Sequence, residues 1–228
     1  MTHHAEAAKV LLKVHERVPT HPGATHYTIH ANDVTGRADQ SLDIVRAYDE
    51  IAPSVPHALH MPTHIFVRLG AWPDVIEWNR KSAEAVLRFP AGERVSLHYP
   101  HAMDYLLYAH LQRGEDAKAR AVLDATLERG KYENDFASAF HLAAMPARYA
   151  VERRAWDEAA AVPPRTPDYV PWDVYPWAEA ASWFARGLGA ARGGDAATAR
   201  AAEARMAELR ERRKPGRRPS PPTSRSTG

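Results

Sequence analysis

Gly114-Glu115-Asp116-Ala117-Lys118-Ala119-Arg120-Ala121-Val122-Leu123-Asp124-Ala125-Thr126-Leu127 reads as a tight turn that runs straight into an amphipathic helix. Val122, Leu123 and Leu127 fall on one stripe at helical spacing. The small Ala119, five residues after the turn glycine, lets this helix lie close to the one before it. The same device recurs at Gly36-Arg37-Ala38, Gly70-Ala71-Trp72 and Gly194-Asp195-Ala196, and in degenerate form at Arg154-Ala155-Trp156. The turns are 34, 44, 40 and 40 residues apart, and Ser41, Val75, Ala159 and Ala199 stand where Ala119 stands. Each opens a further amphipathic helix. Pro53 follows the first pair at a point where a helix must stop. No segment alternates with a period of two over a useful length, so the chain is expected to be all-α.

Helix-turn-helix units repeated at this period resemble the tetratricopeptide repeat (TPR) family. The resemblance covers about residues 22–212 and implies a right-handed superhelical solenoid of about five helix-turn-helix pairs. The chain departs from the family pattern in the first helix of each unit, where Trp-Leu-Gly is largely replaced by Leu59 with Pro62-Thr63, or Met103 with Leu106-Leu107.

The boundaries follow from composition. Residues 1–20 read as one helix from Ala5 to Val18, the second half of a repeat whose first helix is absent, and residues 21–212 read as the repeat domain. Residues 162–176 carry too many prolines for a helix and are expected to form an extended connector with aromatic anchors. Residues 213–228, basic and rich in proline and serine, are expected to be disordered. Neither end supplies an obvious polar capping helix, so the chain reads as part of a longer array. The six tryptophans stand at turn or helical-core spacing and are expected to pack.

Bulk numbers exclude several functions. A net charge of +2, with the basic excess in the last twenty residues, argues against a nucleic-acid surface on the body. With no cysteine there is neither a disulfide framework nor a thiolate zinc site. No apolar run is long enough to span a membrane and no signal-peptide core precedes the first helix, so a cytoplasmic location is expected.

Chemistry is concentrated in histidine. Of 13 histidines, seven fall on one face of successive helices: His26, His30, His57, His60, His64, His101 and His141, joined by Asp33 and Asp104. Counted back from the turns, His57, His101 and His141 stand thirteen residues ahead. His26, His60 and Asp104 stand ten ahead, His30, His64 and Tyr108 six, and Asp33 three. Neighbouring repeats therefore use the same slots, which in the TPR family line the concave groove. His-x-x-x-His at 26/30 and again at 60/64 puts two imidazoles one turn apart, the spacing that lets both reach one ion. Imidazole and carboxylate without sulfur suit Zn²⁺, Fe²⁺, Mn²⁺ or Cu²⁺. The expected ligands are His26, His30, His60 and His64, with Asp33, His57, His101 and Asp104 as further or supporting ligands, for one ion or two. His141, isolated, is expected to pack, and His3, His4, His15 and His110 to be solvated or interhelical. A polar groove in which histidines bond backbone carbonyls and each other is the structural alternative.

A closer resemblance rests on His21-Pro-Gly-Ala-Thr-His-Tyr-Thr-Ile-His-Ala-Asn-Asp33 and His57-Ala-Leu-His-Met-Pro-Thr-His-Ile-Phe-Val-Arg-Leu-Gly-Ala-Trp72. These are similar to a group of bacterial TPR-like proteins sharing HPGA-x-HY-x-IHA and H-x-x-HMP-S/T-HI blocks, and Met145-Pro-Ala-Arg-Tyr-Ala-Val-Glu-Arg-Arg-Ala-Trp156 fits the same group. Members are typically longer at both ends, and some carry histidine where this chain has Asp104. The expected function is a repeat protein acting through its groove, which holds a divalent metal. If it is an enzyme, the ion activates water or a small substrate, with a carboxylate as base and Tyr27 or Tyr108 as hydrogen-bond donor. The rival is a scaffold that grips a peptide or small molecule in the groove without catalysis.

Overall fold

The computed structural model describes residues 3–90 and 92–212; the basic tail of residues 213–228 lies outside them. The chain is an all-α array of helix hairpins. Helix α1 (His3–Arg17) precedes the array and lies against α2 (Pro22–Asn32). In the first hairpin α2 is followed by a broken second limb, a 3-10 turn (Ala38–Ser41) and the short helices α3 (Leu42–Arg46) and α4 (Tyr48–Ile51). The second pairs α5 (Pro56–His60) and α6 (Pro62–Leu69) with α7 (Trp72–Arg88). The remaining three are α8 (His98–Gln112) with α9 (Asp116–Leu127), α10 (Phe136–Glu152) with α11 (Trp156–Ala161), and α12 (Pro176–Arg192) with α13 (Ala196–Arg212). Among the described residues the strand geometry is limited to one isolated bridge, Val95 to Tyr132.

Each hairpin turns on a residue in the left-handed region. Gly36, Gly70, Gly114 and Gly194 have φ of 77°, 68°, 68° and 85°. Arg154, the degenerate member, takes the same conformation at φ 55° without being glycine. Five residues on, Ser41, Val75, Ala119 and Ala159 are completely buried between limbs, and Ala199 partly so. The first limbs form one row: α2 touches α6, α5 touches α8, α8 touches α10 and α10 touches α12. One core, around Ile29, Val45, Met61, Ile65, Phe66 and Trp78, welds the first two hairpins, and another around Leu107, Leu123, Leu142, Met145 and Trp172 joins the next two.

Two limbs depart locally from the sequence reading. The limb expected to open at Ser41 starts there but is interrupted at Ala47, and its start is tied to α2 where the Ser41 hydroxyl accepts from Asn32 Nδ2 at 2.7 Å. The first limb of the second hairpin is split at Pro62, which has no backbone N–H to give to the preceding turn. Thr63 Oγ1 donates to the His60 carbonyl at 2.7 Å across the break.

Val162 to Tyr175, between α11 and α12, contains no helix and is held by side chains. Trp172 is buried and its Nε1–H donates to the Pro167 carbonyl at 2.9 Å, while Asp173 accepts from Arg165 and Arg212. Trp78 is buried as expected, but Trp177 is 46% exposed. No helix among the described residues is long and apolar enough to cross a membrane.

The tightest approach between limbs is at Gly189. A Cβ there would fall on the backbone of Ala160, 2.5 Å from the Trp156 carbonyl oxygen and 2.9 Å from Ala159 C. Gly189→Ala is therefore expected to push α12 off α11 and destabilise the protein by about 1–3 kcal/mol, the usual cost of overpacking. A urea denaturation midpoint checks this, with Gly193→Ala, whose added carbon would meet nothing closer than 3.4 Å, nearly neutral.

Candidate metal site

Repeat register becomes contact. The side chain thirteen residues ahead of each turn lies against the side chain ten ahead of the previous turn. His57 meets His26 with ring centroids 5.2 Å apart, His101 meets His60 at 4.1 Å, and His141 Nδ1 reaches Asp104 Oδ2 at 2.9 Å. The slot six ahead behaves similarly, with His30 and His64 rings 5.9 Å apart and the Arg148 guanidinium over Tyr108 at 5.2 Å. The result is one row of imidazoles across α2, α5, α6, α8 and α10.

At its centre three histidines have their tautomers set by what their Nδ1 atoms face. Asn79 on α7 donates through Nδ2 to the Val75 carbonyl at 2.8 Å, so its Oδ1 is the acceptor presented to His60 Nδ1 at 2.7 Å. His60 therefore carries its proton on Nδ1. His64 Nδ1 donates to Asp33 Oδ2 at 3.1 Å. His101 Nδ1 donates to His141 Nε2 at 2.8 Å, and His141 Nδ1 in turn donates to Asp104. Each neutral imidazole is left with a lone pair on Nε2. The Nε2 atoms of His60 and His64 face one another at 3.2 Å. Two bare lone pairs repel at that distance, so a proton or a cation belongs between them. Two nitrogens bound to one tetrahedral ion at 2.0–2.1 Å would lie about 3.3 Å apart. One ligand atom each from His60, His64 and His101 lies within 4.8 Å of the others, the one such group among the described residues.

The carboxylates act one step back. Burial alone would raise the pKa of Asp33, but the hydrogen bonds from His64 and from Arg68 Nε, at 2.7 Å, outweigh it and hold the carboxyl below its ordinary value. Asp104 is 2% exposed and is paired with Arg148, whose Nε is 3.1 Å from Oδ1. Each aspartate thus has its own arginine. Tyr105 stands over all three imidazoles, its ring 4.6, 5.5 and 5.4 Å from those of His60, His64 and His101. Burial, and then Asp33 and Asp104, push its hydroxyl up to about 12, so it stays a phenol at neutral pH.

The expected ligands are thus redistributed. His60 and His64 meet, and His101 rather than His26 or His30 completes the trio. His26 and His30 touch each other, with centroids 4.8 Å apart, and continue the row outward. His57 bridges from His26 to His98, and its Nδ1 is buried without a hydrogen-bond partner. Asp33 and Asp104 reach the trio through His64 and His141. Tyr27 is 59% exposed beside His26, and Tyr108 is occupied by Arg148 and Trp72. Sequence reasoning missed Asn79, His98, Tyr105 and Arg148. Arg148 could have been found, because it stands six residues ahead of the Arg154 turn. Asn79 and Tyr105 carry no such signal.

Two cavities flank the trio and share Tyr105 and Val67. One, of about 500 Å³, has Leu97, Tyr108, Phe136, Phe140, His101 and Arg148 among its walls. The other, of about 720 Å³, carries more charge, with Asp33, Arg37, Asp39, His64 and Arg68 in its lining.

The molecule is thus a helix-hairpin repeat protein with a histidine and carboxylate site on its first limbs. No protein-family model matches the chain, and no curated protein matches it. Among solved structures it is similar to YrrB, a TPR protein with an unusual peptide-binding site, at 15% identity and a TM-score of 0.45 over 90% of this chain and 94% of that one.

Burial, and then neighbouring imidazoles, hold the pKa of His101 down at about 3, that of His57 at about 4 and that of His60 well below its ordinary value. The unfolded chain, with ordinary histidines near 6.5, binds more protons in this range than the folded one. Stability of metal-free protein is therefore full above about pH 6.5 and falls as the pH drops towards 4. Urea midpoints measured across that window should decline steadily, and less in a His57→Phe, His101→Phe variant.

Proposed function

We propose that this protein binds one divalent transition-metal ion through the Nε2 atoms of His60, His64 and His101. The observation that carries the reading is the 3.2 Å approach of the His60 and His64 Nε2 atoms while both Nδ1–H groups are engaged elsewhere. Metal-bound histidines characteristically donate their other N–H to a carboxylate, carbonyl or amide oxygen, which fixes the ring and raises its basicity. Asn79, Asp33 and the His141–Asp104 pair supply those acceptors here. Three nitrogen ligands and no thiolate suit Zn²⁺, Fe²⁺, Mn²⁺ or Cu²⁺, and a set of three leaves a position open, as in catalytic rather than purely structural zinc sites.

An ion held by His60, His64 and His101 would supply Lewis-acid chemistry at the open position. The chain's own contribution is to keep His60 and His101 unprotonated by burial, to orient the three imidazoles from behind, and to offer the Tyr105 phenol beside the trio as a donor. A groove that grips a peptide and uses its histidines only as polar contacts is the competing outcome.

Metal analysis after expression with Zn, Fe, Mn and Cu, followed by calorimetric titration of stripped protein, decides between them. One equivalent is expected. His60→Gln or His101→Gln should abolish tight binding. Asp33→Asn or Asp104→Asn should weaken it about 10- to 100-fold, the usual effect of losing an acceptor behind a ligand. His26→Gln and His30→Gln should change it little. Absence of bound metal together with absence of any thermal shift on adding these ions would overturn the reading.

A further inference from the structure

Resting on that reading, the open position and the cavity beside it define a ligand. The cavity of about 500 Å³ is lined by His101, one member of the trio, together with Tyr105 and His141. Leu97, Phe136, Phe140 and Val67 give it an apolar portion. Phe136, the first residue of α10, is 44% exposed, and its ring stacks on Phe140 with centroids 6.0 Å apart. An aromatic pair in a cavity that also carries polar groups is an arrangement for a molecule with two unlike ends.

Charge specifies the polar end. Asp33 is balanced by Arg68 and Asp104 by Arg148, and an imidazole bound to a metal through its lone pair carries no charge of its own. A divalent ion at the trio therefore brings two positive charges that no carboxylate in its surroundings is free to offset. Uncompensated charge in a water-poor site favours an anionic ligand. Arg148, already engaged by Asp104, does not compete for it. We infer that the cavity binds a small monocarboxylate with an aromatic or branched apolar body, the carboxylate on the ion and the body between Leu97, Phe136 and Phe140.

The more charged cavity on the other side of Tyr105 does not fit such a body. Asp33, Asp39, Arg37 and Arg68 line it, and an apolar group placed there would strip water from charged side chains without replacing it.

The test uses the full chain loaded with Co²⁺, whose visible absorption reports changes at the open position. Phenylacetate and acetate are titrated in parallel. Phenylacetate is expected to saturate at about one tenth of the acetate concentration or lower, because its ring leaves water for apolar walls. Phe136→Ala should bring the two ligands together while leaving Co²⁺ affinity unchanged, since this side chain is 44% exposed and can be cut back without loss of the fold. Phe184→Ala, an exposed phenylalanine on α12 away from the cavity, should alter nothing. Equal saturation by acetate and phenylacetate, or indifference to Phe136→Ala with Co²⁺ still bound, overturns this inference alone. Failure of Co²⁺ to bind overturns the metal reading and this inference with it.

Discussion

Two imidazole nitrogens, each with its proton committed to the opposite side of the ring, meet at 3.2 Å between His60 and His64. The rest of the site depends on that meeting. His60 is pinned by Asn79 from α7, His64 by Asp33 at the end of α2, and His101 by His141 from α10, which Asp104 orients. Four hairpins therefore contribute to a site only a few ångströms across. The stacking of first limbs supplies this convergence, since a helix in one hairpin presents its slots directly to the next. The kink at Pro62 falls between His60 and His64 and leaves their rings 5.0 Å apart.

Electrostatics explains why so many histidines can share one face. Protonated together they would repel, and burial makes each charge costlier still. His60, His101 and His57 are held in the neutral form by that burial, and the two aspartates are neutralised by Arg68 and Arg148 instead of by imidazolium. The row is thus a low-charge, electron-rich surface bounded by two balanced ion pairs. Such a surface suits a cation at its centre far better than an acidic or basic peptide along its length.

Much of this was legible in the sequence. The turn glycines announced the hairpins, and even the degenerate Arg154 takes the glycine conformation at φ 55°. Counting back from the turns placed His57, His101 and His141 in equivalent positions, and the contacts obey that register. What the sequence could not give was the pairing rule between slots. His26 and His30 repeat the spacing of His60 and His64, yet they occupy the outer limb of the row, and His101 from the following hairpin closes the trio. His141 looked isolated because its partners, Asp104 and His101, lie 37 and 40 residues away. Asn79 sits on a second limb, where a buried amide is indistinguishable in sequence from any other polar residue. The break at Ala47 in the limb after Gly36 carries no proline or glycine to signal it.

Long-range proton–nitrogen NMR of the imidazoles, recorded at neutral pH on stripped protein and again with one equivalent of zinc, tests the central claim most directly. The account predicts that His60, His64 and His101 each carry hydrogen on Nδ1, and that zinc shifts their Nε2 resonances while those of His26 and His30 stay in place. A His60 or His64 without hydrogen on Nδ1, or zinc-induced shifts centred on His26 and His30, would contradict it.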